Sequence, residues 1–565
     1  MSIEVDTPPM ADFLTPAALK HRLEAPDELA LIDVSEEGEF GMGHLLRAVN
    51  VPYSRLELLI RPLVPRLDCP IVLVDQSNAV TARAARRLEA LGYRNLSVLQ
   101  GGTEAWAAAG FELFRGVYVP SKAFGEWVEH AFDTPSIDAH TLSALLAQGE
   151  DIAVLDPRTV AEHAARHIPT AIACPGAELL YRFRDLVPSR DTLVVVACGG
   201  RTRGIMGAQS LITAGVPNRV VALADGNHGW TLAGFDMEQG LERHYGTASE
   251  HGAAWARERA DALLHKFQLP TVDLRTLAQW QQADATRTTF TFDVRSPEEY
   301  RAGHLAGARS APGGQLIQAT DQWMGTLGAR VVLVDDDGVR AVLVAYWLTL
   351  MGWDAHVLRD EAHAPARAAG RHAPQAAHAQ SPDAAAQVIR ESQPAPVRAA
   401  EIDPHAAAAR LAQGALAVSV DSSTDYLAGH PPGALWANRS RLDGVATAAA
   451  GRAVLLFSAD GESAHLAAAD LAERVDSATG IAVVRGGLQA WKAAGLPIES
   501  APEERLTQDE RVDTLFWAHD RRRGNPEAMR AYLEWEKNLL SQVAADGFRF
   551  AARAPGAAAP QTTNG

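Results

Sequence analysis

Short runs of β-branched and other apolar residues alternate along the chain with longer stretches that are rich in Ala and Leu and have helical periodicity. Runs such as VVVAC, VVLV and AVLLF are apolar at nearly every position, which is typical of strands buried on both faces of a sheet. Helices between such strands connect them by right-handed crossovers, so the strands run parallel. The pattern therefore predicts an α/β fold over most of the chain.

The same pattern occurs four times. In each copy a first apolar strand ends near an Asp, and a His follows after 11 residues in three copies and after 9 in the fourth. The pairs are Asp33 and His44, Asp156 and His167, Asp293 and His304, and Asp421 and His430. Self-similarity of this kind indicates a chain assembled from repeated structural units.

A second apolar strand in each copy leads into a short polar loop and an Ala-rich helical stretch. The first loop residue follows the Asp by 42 positions in three copies and by 37 in the fourth, and the four loop residues are Asp75, Cys198, Asp335 and Ser458. A Gly-rich turn followed by Trp comes later in the first, second and fourth copies, at Trp106, Trp230 and Trp491. Each copy spans about 100 residues, which is a typical domain size.

The predicted architecture is four tandem α/β domains, each a small parallel sheet flanked by helices, followed by a short helical C-terminal extension. Amphipathic segments around 116–135 and 246–270 are expected to pack against neighbouring domains. The Ala-, Pro-, His- and Gln-rich composition around 363–397 is typical of a flexible linker. The predicted boundaries are 10–115, 133–245, 268–362 and 398–500 for the domains, 363–397 for the linker, and 501–565 for a helical extension with a disordered tail.

Bulk properties narrow the functional classes. A chain of 565 residues is too long for one core, and no apolar run approaches the roughly 18 residues that span a membrane. The acidic, Pro-containing N-terminus does not resemble a secretory signal, and three cysteines cannot form a disulfide framework over this length, so we expect a cytoplasmic protein. A net charge of -17 without a basic block opposes nucleic-acid binding.

The chemistry is concentrated in the loop of the second copy, Cys198-Gly199-Gly200-Arg201-Thr202-Arg203. A loop that wraps over a helix N-terminus points backbone N–H groups inward and forms an anion-binding nest. A thiolate is the reactive form of Cys, and a helix N-terminus beside Arg201 and Arg203 is expected to depress the thiol pKa. The sequence therefore predicts a nucleophilic Cys198.

These residues resemble the rhodanese family of sulfurtransferases, in which a loop Cys takes a sulfane sulfur from a donor and passes it to a thiophilic acceptor. The resemblance covers all four copies. It implies that Cys198 carries a persulfide and that Arg203 closes the loop, with Arg201 expected to orient an anionic donor. The substrate-binding loop is then Gly199, Gly200, Arg201, Thr202 and Arg203, supported by Asp156 and Arg158 as a structural brace and by His228 near the mouth of the site.

The other three copies are expected to be inactive in sulfur transfer, because Asp75, Asp335 and Ser458 cannot carry a persulfide. In the third copy the sequence DDDGVR places carboxylates where an anion would bind. Cys69 and Cys174 are interpreted as packing residues, and the recurring His and Trp residues as structural ones. Neither a metal site nor a cofactor is expected.

The expected substrates are thiosulfate or a low-molecular-weight persulfide as donor and a thiol or cyanide as acceptor. A mercaptopyruvate-specific enzyme is disfavoured because its family loop usually reads Cys-Gly-Ser/Ala-Gly-Val-Thr. A Cys-dependent phosphatase or arsenate reductase needs five residues between Cys and Arg, whereas four separate Cys198 from Arg203. A non-catalytic scaffold or a redox- or sulfide-sensing protein stays an alternative, and self-association is possible.

Overall fold

The computed structural model describes residues 11–283, 286–359, 398–516, 521 and 524–551. Two compact units are present. One contains the fourth copy and nearly all of the first, and the other contains the second and third copies together with the C-terminal helix. The predicted linker over 363–397 and the tail beyond residue 551 lie outside the described residues.

Each copy forms one five-stranded sheet, and the four sheets have the same strand order. Numbered within a copy, the order is 1-5-4-2-3, and every pair of neighbouring strands is parallel. The fourth strand therefore lies at the centre of the sheet. Ligands of parallel α/β sheets bind beyond the carboxyl ends of the strands, so a binding site is expected at the loop after the central strand. The α/β architecture predicted from the sequence is confirmed.

The first and second copies have similar elements. In the first, the strands are β1 (Asp12–Leu14), β2 (Ala30–Asp33), β3 (Val49–Asn50), β4 (Ile71–Val74) and β5 (Leu96–Leu99), and the helices are α1 (Pro16–Glu24), α2 (Glu37–Phe40), α3 (Leu56–Leu63), α4 (Thr81–Ala90) and α5 (Gly102–Ala108). Helix α6 (Val119–Phe132) follows. In the second, they are β6 (Ser136–Ile137), β7 (Ile152–Asp156), β8 (Ile172–Ala173), β9 (Leu193–Val196), β10 (Val220–Leu223), α7 (Ala139–Ala147), α8 (Val160–Ala165), α9 (Glu178–Leu186), α10 (Thr202–Thr213) and α11 (Gly226–Leu232).

The third and fourth copies complete the chain. Helix α12 (Glu250–Lys266) precedes β11 (Thr271–Val272), α13 (Leu274–Ala283), β12 (Thr289–Asp293), α14 (Pro297–Ala302), β13 (Arg309–Ser310), α15 (Gly313–Gln318), β14 (Arg330–Val334), α16 (Arg340–Leu350) and β15 (Asp354–Leu358). The fourth copy contains β16 (Ala400–Ile402), α17 (Pro404–Ala412), β17 (Leu416–Ser419), α18 (Ser423–Ala428), β18 (Leu435–Trp436), α19 (Asp443–Ala449), β19 (Val454–Phe457), α20 (Glu462–Ala472), β20 (Ile481–Val484) and α21 (Gly487–Ala493). The last helix is α22 (Pro526–Ala545).

The sheet register corrects the alignment of the fourth copy. Ser419 ends β17 and pairs with Phe457, just as Asp33 ends β2 and pairs with Val74. The residue equivalent to the strand-end Asp is therefore Ser419 and not Asp421. Ser419 precedes His430 by 11 residues, the spacing of the other copies, so the apparent shortening before the His came from choosing the wrong residue as the reference.

The unit that contains the first and fourth copies has a buried ionic cluster where those two copies meet. The Asp470 carboxylate accepts hydrogen bonds from Tyr53 Oη at 2.7 Å, from Arg87 at 2.6 Å and from Arg439 at 3.0 Å. Arg439 also pairs with Glu57 at 2.6 Å. Because the partners come from both copies, this cluster ties their sheets into one body.

In the other unit the second and third copies meet through a different cluster. Arg340, which is fully buried, pairs with Glu178 of the second copy at 2.7 Å and with Glu299 of its own copy at 2.5 Å. Trp347 donates a hydrogen bond to Ser210 Oγ at 2.9 Å.

Helix α12 packs against α9 and α16, and α6 packs against α10 and α22, so the amphipathic segments pack as the sequence predicted.

The start of helix α22 is capped by the residues that precede it. The Asn525 side chain accepts hydrogen bonds from the backbone N–H groups of Glu527 and Ala528, and Pro526 occupies the first helical position.

Within the described residues, no helix is both long and apolar enough to cross a membrane.

Candidate active site

Cys198 lies in the loop between the central strand β9 and helix α10, at the carboxyl end of the sheet of the second copy. Its side chain is buried, with 2% of the residue exposed. The Sγ atom lies 3.6 Å from the carbonyl oxygen of Arg201, and the backbone N–H groups of Gly200 and Gly204 both donate to the sulfur. Two amides of the loop therefore point towards the sulfur.

The equivalent residue of every copy accepts a hydrogen bond from the amide six positions further along the chain. Asp75 accepts from the N–H of Thr81 at 3.3 Å, and Asp335 from that of Ala341 at 2.9 Å. Ser458 accepts from the N–H of Ala464 at 3.1 Å. Gly204 donates to Cys198 in the same way. The four loops therefore share one geometry and differ in the group that occupies it.

The pKa of the Cys198 thiol is raised above its usual value, contrary to the expectation from the sequence. Burial is the main cause, because it disfavours the thiolate. Arg203 and the loop amides favour the thiolate, but the carboxylate of Glu536 opposes them. The sequence argument counted the neighbouring arginines and the helix, whereas burial and a carboxylate from α22 decide the direction.

A Gly-rich turn supports the loop from behind. The N–H of Asn227 donates to the carbonyl oxygen of Cys198 at 2.7 Å, and that of His228 donates to the carbonyl oxygen of Gly199 at 3.1 Å. Gly226 has φ +52°, and a Cβ atom there would lie 2.3 Å from the Cys198 carbonyl oxygen. The turn before Trp230 therefore packs directly against the Cys198 loop. Gly226 allows the two backbones to approach this closely because it has no Cβ atom.

Asp156 and Arg158 form a buried pair beneath the loop. Arg158 Nη2 donates to Asp156 Oδ2 at 2.6 Å and to the carbonyl oxygen of Arg166 at 2.6 Å. His163 Nδ1 lies 3.0 Å from the same carboxylate. Burial opposes ionisation of Asp156, but the bonds from His163 and Arg158 keep its pKa below the usual range. The Arg158 side chain also lies against Gly199, 3.9 Å from the position of a Cβ atom there. This geometry is that of a brace under the loop.

Arg203 holds the end of the loop to helix α8. Its guanidinium forms a two-pronged pair with the Glu162 carboxylate, at 2.7 and 2.8 Å. The third copy has the same pair between Arg340 and Glu299. Two-pronged pairs fix direction as well as charge, so Arg203 is held in one orientation beside Cys198.

The Arg201 side chain pairs with three carboxylates, whereas the sequence analysis expected it to orient an anionic donor. Its guanidinium binds Glu126 at 2.7 Å and Asp225 at 3.2 Å, and it also pairs with Glu129. Three carboxylates already neutralise this cation. The expected role of orienting an anionic donor therefore does not fit the geometry, and Arg201 fastens the loop to helix α6 instead.

Helix α22 supplies residues at the site that the sequence analysis did not identify. The Glu536 carboxylate accepts a hydrogen bond from Thr202 Oγ1 at 2.6 Å, and the ring of Tyr532 meets that of His228 edge to face. Lys122 donates to Tyr532 and lies 3.5 Å from Glu536. One signal was present in the sequence, because Glu536 interrupts the apolar stripe of an amphipathic helix.

His228 lies against the loop, near the position expected for it. Its Nδ1 atom is 3.8 Å from the position of a Cβ atom on Gly200 and has no hydrogen-bond partner among the described residues. Burial lowers the pKa of His228 to about 4, so the ring is neutral at pH 7.

The loop of the third copy is filled by its own carboxylates, as the sequence predicted. Asp337 Oδ1 accepts from the N–H groups of Val339 at 2.7 Å and Arg340 at 3.1 Å, and Asp335 accepts from Gly338 at 3.0 Å. An external anion would find these amides already occupied.

The remaining candidates have structural contacts. Cys69 and Cys174 are fully buried, and burial raises the pKa of Cys174 well above its usual value. The recurring His residues bond to backbone carbonyls, as with His430 Nδ1 and Tyr426 O at 2.6 Å, and Trp230 donates to the carbonyl oxygen of Asp236 at 2.8 Å. In the part of the chain that the structure describes, no group of three or more His, Cys, Asp or Glu is placed to hold a metal ion.

The chain is similar to known proteins. The profile of the rhodanese-like domain matches residues 15–109, 138–233 and 260–361, which are the first three copies. The chain is similar to a crystal structure of a thiosulfate sulfurtransferase from Pseudomonas aeruginosa, with 40% identity and a TM-score of 0.85 over 96% of this chain and 100% of that one.

Two curated relatives match stretches no longer than about one copy. A sulfurtransferase of Allochromatium vinosum is 34% identical over 101 residues, which are 18% of this chain and 92% of the relative. The uncharacterized protein YqhL of Bacillus subtilis is 38% identical over 76 residues, which are 14% of this chain and only 59% of the relative. With the repeated sheets and the cysteine loop, these matches lead to one conclusion: the chain belongs to the family of rhodanese-like sulfurtransferases.

Proposed function

We propose that this protein moves a sulfane sulfur from thiosulfate or a low-molecular-weight persulfide to a thiol or cyanide, through a persulfide on Cys198. The observation that carries the proposal is the identity of the residue in the amide nest. Of the four equivalent positions, only that of the second copy holds a thiol. A thiol can form the sulfur–sulfur bond of a persulfide, whereas the carboxylates and the hydroxyl at the other three positions cannot.

The proposed reaction has two steps. Cys198 loses its proton to solvent, and the thiolate attacks the terminal sulfur of the donor. The donor's sulfur–sulfur bond breaks, its electron pair leaves with sulfite when the donor is thiosulfate, and Cys198 carries the persulfide. The acceptor then attacks the outer sulfur, the bond between that sulfur and Sγ breaks, and the thiolate of Cys198 returns. With cyanide the product is thiocyanate.

Each neighbour has a distinct part in this proposal. The amides of Gly200 and Gly204 stabilise the negative charge on the thiolate and on the persulfide. Arg203, fixed by Glu162, adds positive charge next to the sulfur. Asp156 and Arg158 keep the loop in shape from below. The raised pKa of the resting thiol protects it from adventitious oxidation, because the thiolate is the form that oxidises.

The test is sulfur loading of the reduced protein. Incubation with thiosulfate, and separately with glutathione persulfide, should add one sulfur atom to wild type and nothing to Cys198→Ser, as read by intact mass. Cys174→Ser is the matched control, since Cys174 is also buried in the second copy, and it should load like wild type. Added cyanide or thiol should remove the sulfur and yield thiocyanate or a persulfide.

Two results would contradict the proposal. Loading that survives in Cys198→Ser would place the sulfur on another residue, and a wild type that takes no sulfur from either donor would favour a non-catalytic role. A cytoplasmic location and self-association stay predictions.

A further inference from the structure

A carboxylate from outside the repeated domains lies against the Cys198 loop. Helix α22 buries one face, formed by Met529, Tyr532, Leu533, Glu536, Leu539 and Val543. All but Tyr532 and Glu536 are apolar. Glu536 is 1% exposed, so its charge is held inside the unit at a considerable desolvation cost. A buried carboxylate in an apolar helix face calls for a functional explanation.

The two oxygens of Glu536 have different surroundings. Oε1 accepts a hydrogen bond from Thr202 Oγ1 at 2.6 Å and lies 3.5 Å from Lys122 Nζ. Oε2 is buried and has no hydrogen-bond partner among the described residues. It faces Gly200, where a Cβ atom would lie 3.0 Å from it. The unpartnered oxygen therefore lies directly against the loop of the nucleophile.

Glu536 is ionised at neutral pH. Burial opposes ionisation, but Lys122, the Thr202 hydroxyl and Arg201 keep the pKa of Glu536 below its usual range. The same negative charge raises the pKa of the Cys198 thiol. The nucleophile thus experiences the field of this carboxylate.

The cations of the loop offer an anionic donor little compensation. Arg158 is paired with Asp156, Arg201 with Glu126, and Arg203 with Glu162. Each of these pairs is at 2.7 Å or closer. These three arginines already share their charge with carboxylates, so a donor with two negative charges would meet the Glu536 carboxylate with only the remaining attraction of Arg203 to offset it.

We propose, resting on the sulfur transfer argued above, that Glu536 is a specificity-determining residue that selects the sulfur donor by charge. It disfavours dianionic donors and favours donors with at most one negative charge next to the sulfane sulfur. The persulfide of a low-molecular-weight thiol fits this class, and thiosulfate is the disfavoured member of the two donors considered.

Two small donors of nearly the same shape isolate the charge. Thiosulfate carries two negative charges, and methanethiosulfonate replaces one of its oxygens by a methyl group and carries one. In both, the Cys198 thiolate attacks the terminal sulfur and the sulfur–sulfur bond breaks. The leaving group takes the electron pair as sulfite or as methanesulfinate, and Cys198 gains one sulfur in each case.

The measurement is kcat/KM for both donors with cyanide as acceptor. In Glu536→Gln, kcat/KM for thiosulfate should rise roughly tenfold more than kcat/KM for methanethiosulfonate, because the doubly charged donor loses twice the repulsion. The pH at which iodoacetamide alkylates Cys198 at half its maximal rate should also move down. A merely structural role of Glu536 would change neither the donor ratio nor this midpoint.

Glu534→Gln is the matched control, since Glu534 lies on the exposed side of α22 and its substitution changes the net charge equally. It should leave the donor ratio within about twofold of wild type, because exposed charges are screened. Should Glu536→Gln not fold, Lys122→Met gives the test with the opposite sign, since it removes the cation next to Glu536 and should disfavour thiosulfate further.

The outcomes separate the two proposals. A donor ratio unchanged from wild type in the folded variant, with Cys198 still loading sulfur, overturns the charge selection and leaves the sulfur transfer standing. A ratio that changes equally in Glu534→Gln also overturns it. Failure of wild type to load sulfur from either donor removes the proposed function itself, and this inference with it.

Discussion

One position in the repeated loop distinguishes the second copy from the other three. Asp75, Cys198, Asp335 and Ser458 all accept a hydrogen bond from the amide six residues later. The amides suit any compact acceptor, so the loop tolerates a carboxylate or a hydroxyl without losing its shape. Only sulfur adds chemistry, because neither oxygen group can bind and release a sulfane sulfur. At the scale of the residue, the proposed function depends on one sulfur atom in a loop geometry that all four copies share.

Gly226 makes a testable prediction at this scale. Gly226→Ala should abolish sulfur transfer and destabilise the unit by more than about 2 kcal/mol, because an unfavourable left-handed conformation adds to a collision with the Cys198 carbonyl oxygen at 2.3 Å. The measurements are thiocyanate formation and the thermal unfolding midpoint. Gly215→Ala is the matched control, since Gly215 has φ +70° but open space around it. It should cost about 1 kcal/mol and keep the activity. Equal losses in both variants would refute the role of the close contact.

At the scale of elements, the loop is held by three separate attachments. Helix α11 docks on it through backbone hydrogen bonds, the Asp156–Arg158 pair braces it from below, and Arg203 ties it to α8 through Glu162. The third copy keeps the last two attachments, with Asp293 and Arg295 forming the brace and Arg340 and Glu299 forming the tie. The attachments therefore belong to the fold, and a copy without a cysteine in its loop can contain them.

The Arg203–Glu162 tie predicts a pH dependence. Burial opposes ionisation of Glu162, but Arg203 and the Thr159 hydrogen bonds lower its pKa to about 2. A carboxyl whose pKa is lowered in the folded state stabilises the protein above its usual pKa near 4.5, and that contribution disappears as the pH falls towards 2. Glu162→Gln should thus lower the urea midpoint at pH 7 and make little difference near pH 2. Because the Glu162 side chain is 42% exposed, the loss at pH 7 should be about 1 kcal/mol or less.

Glu299→Gln is the counterpart for activity. Both Glu residues cap a helix in the same way and pair with an arginine of their own loop, so both variants should be destabilised at pH 7. Only Glu162→Gln should reduce sulfur transfer, because only Arg203 is next to a nucleophile. A comparable loss of activity in Glu299→Gln would contradict the assignment of the chemistry to the second copy.

At the scale of the whole molecule, the copies associate out of chain order. The first and fourth share one compact unit, and the second and third share the other with helix α22. Each unit has a buried ionic cluster at the contact between its two copies, around Asp470 in one and around Arg340 in the other. The copy that contains Cys198 therefore has two neighbours within its unit, the third copy and helix α22.

Asp470 tests this division. Asp470→Asn should destabilise its unit by about 3 kcal/mol or more, because it leaves the buried Arg439 short of a partner. It should leave sulfur loading of Cys198 unchanged at temperatures where the protein is folded. The measurements are calorimetric unfolding and intact mass after thiosulfate treatment. Asp443→Asn, at a carboxylate with 94% of its side chain exposed, should cost under about 0.5 kcal/mol. Loss of Cys198 loading in Asp470→Asn would refute the separation of catalysis from this cluster.

Much of the fold could be read from local sequence. The alternation of apolar strands with helical stretches predicted four copies of one α/β pattern, and the cysteine loop lay at the carboxyl end of a predicted apolar strand. Patterns of this kind depend on residues close together in the chain, where strand, turn and helix preferences act. One local reading was wrong, since Asp421 and not Ser419 was aligned with the strand-end Asp, and only the register of β17 against β19 distinguished them.

The sequence by itself determined the repeated α/β domains and which of the four loops contains a cysteine, because these follow from short segments of the chain. The tertiary structure decided which copies pair, the raised pKa of Cys198, the ion pairs of Arg201 with helix α6 and the presence of Glu536 at the site. Thr202 and Glu536 are 334 residues apart in the chain, yet their side chains are hydrogen-bonded. Burial and long-range charge depend on which distant segments meet, and that is settled only when the whole unit packs.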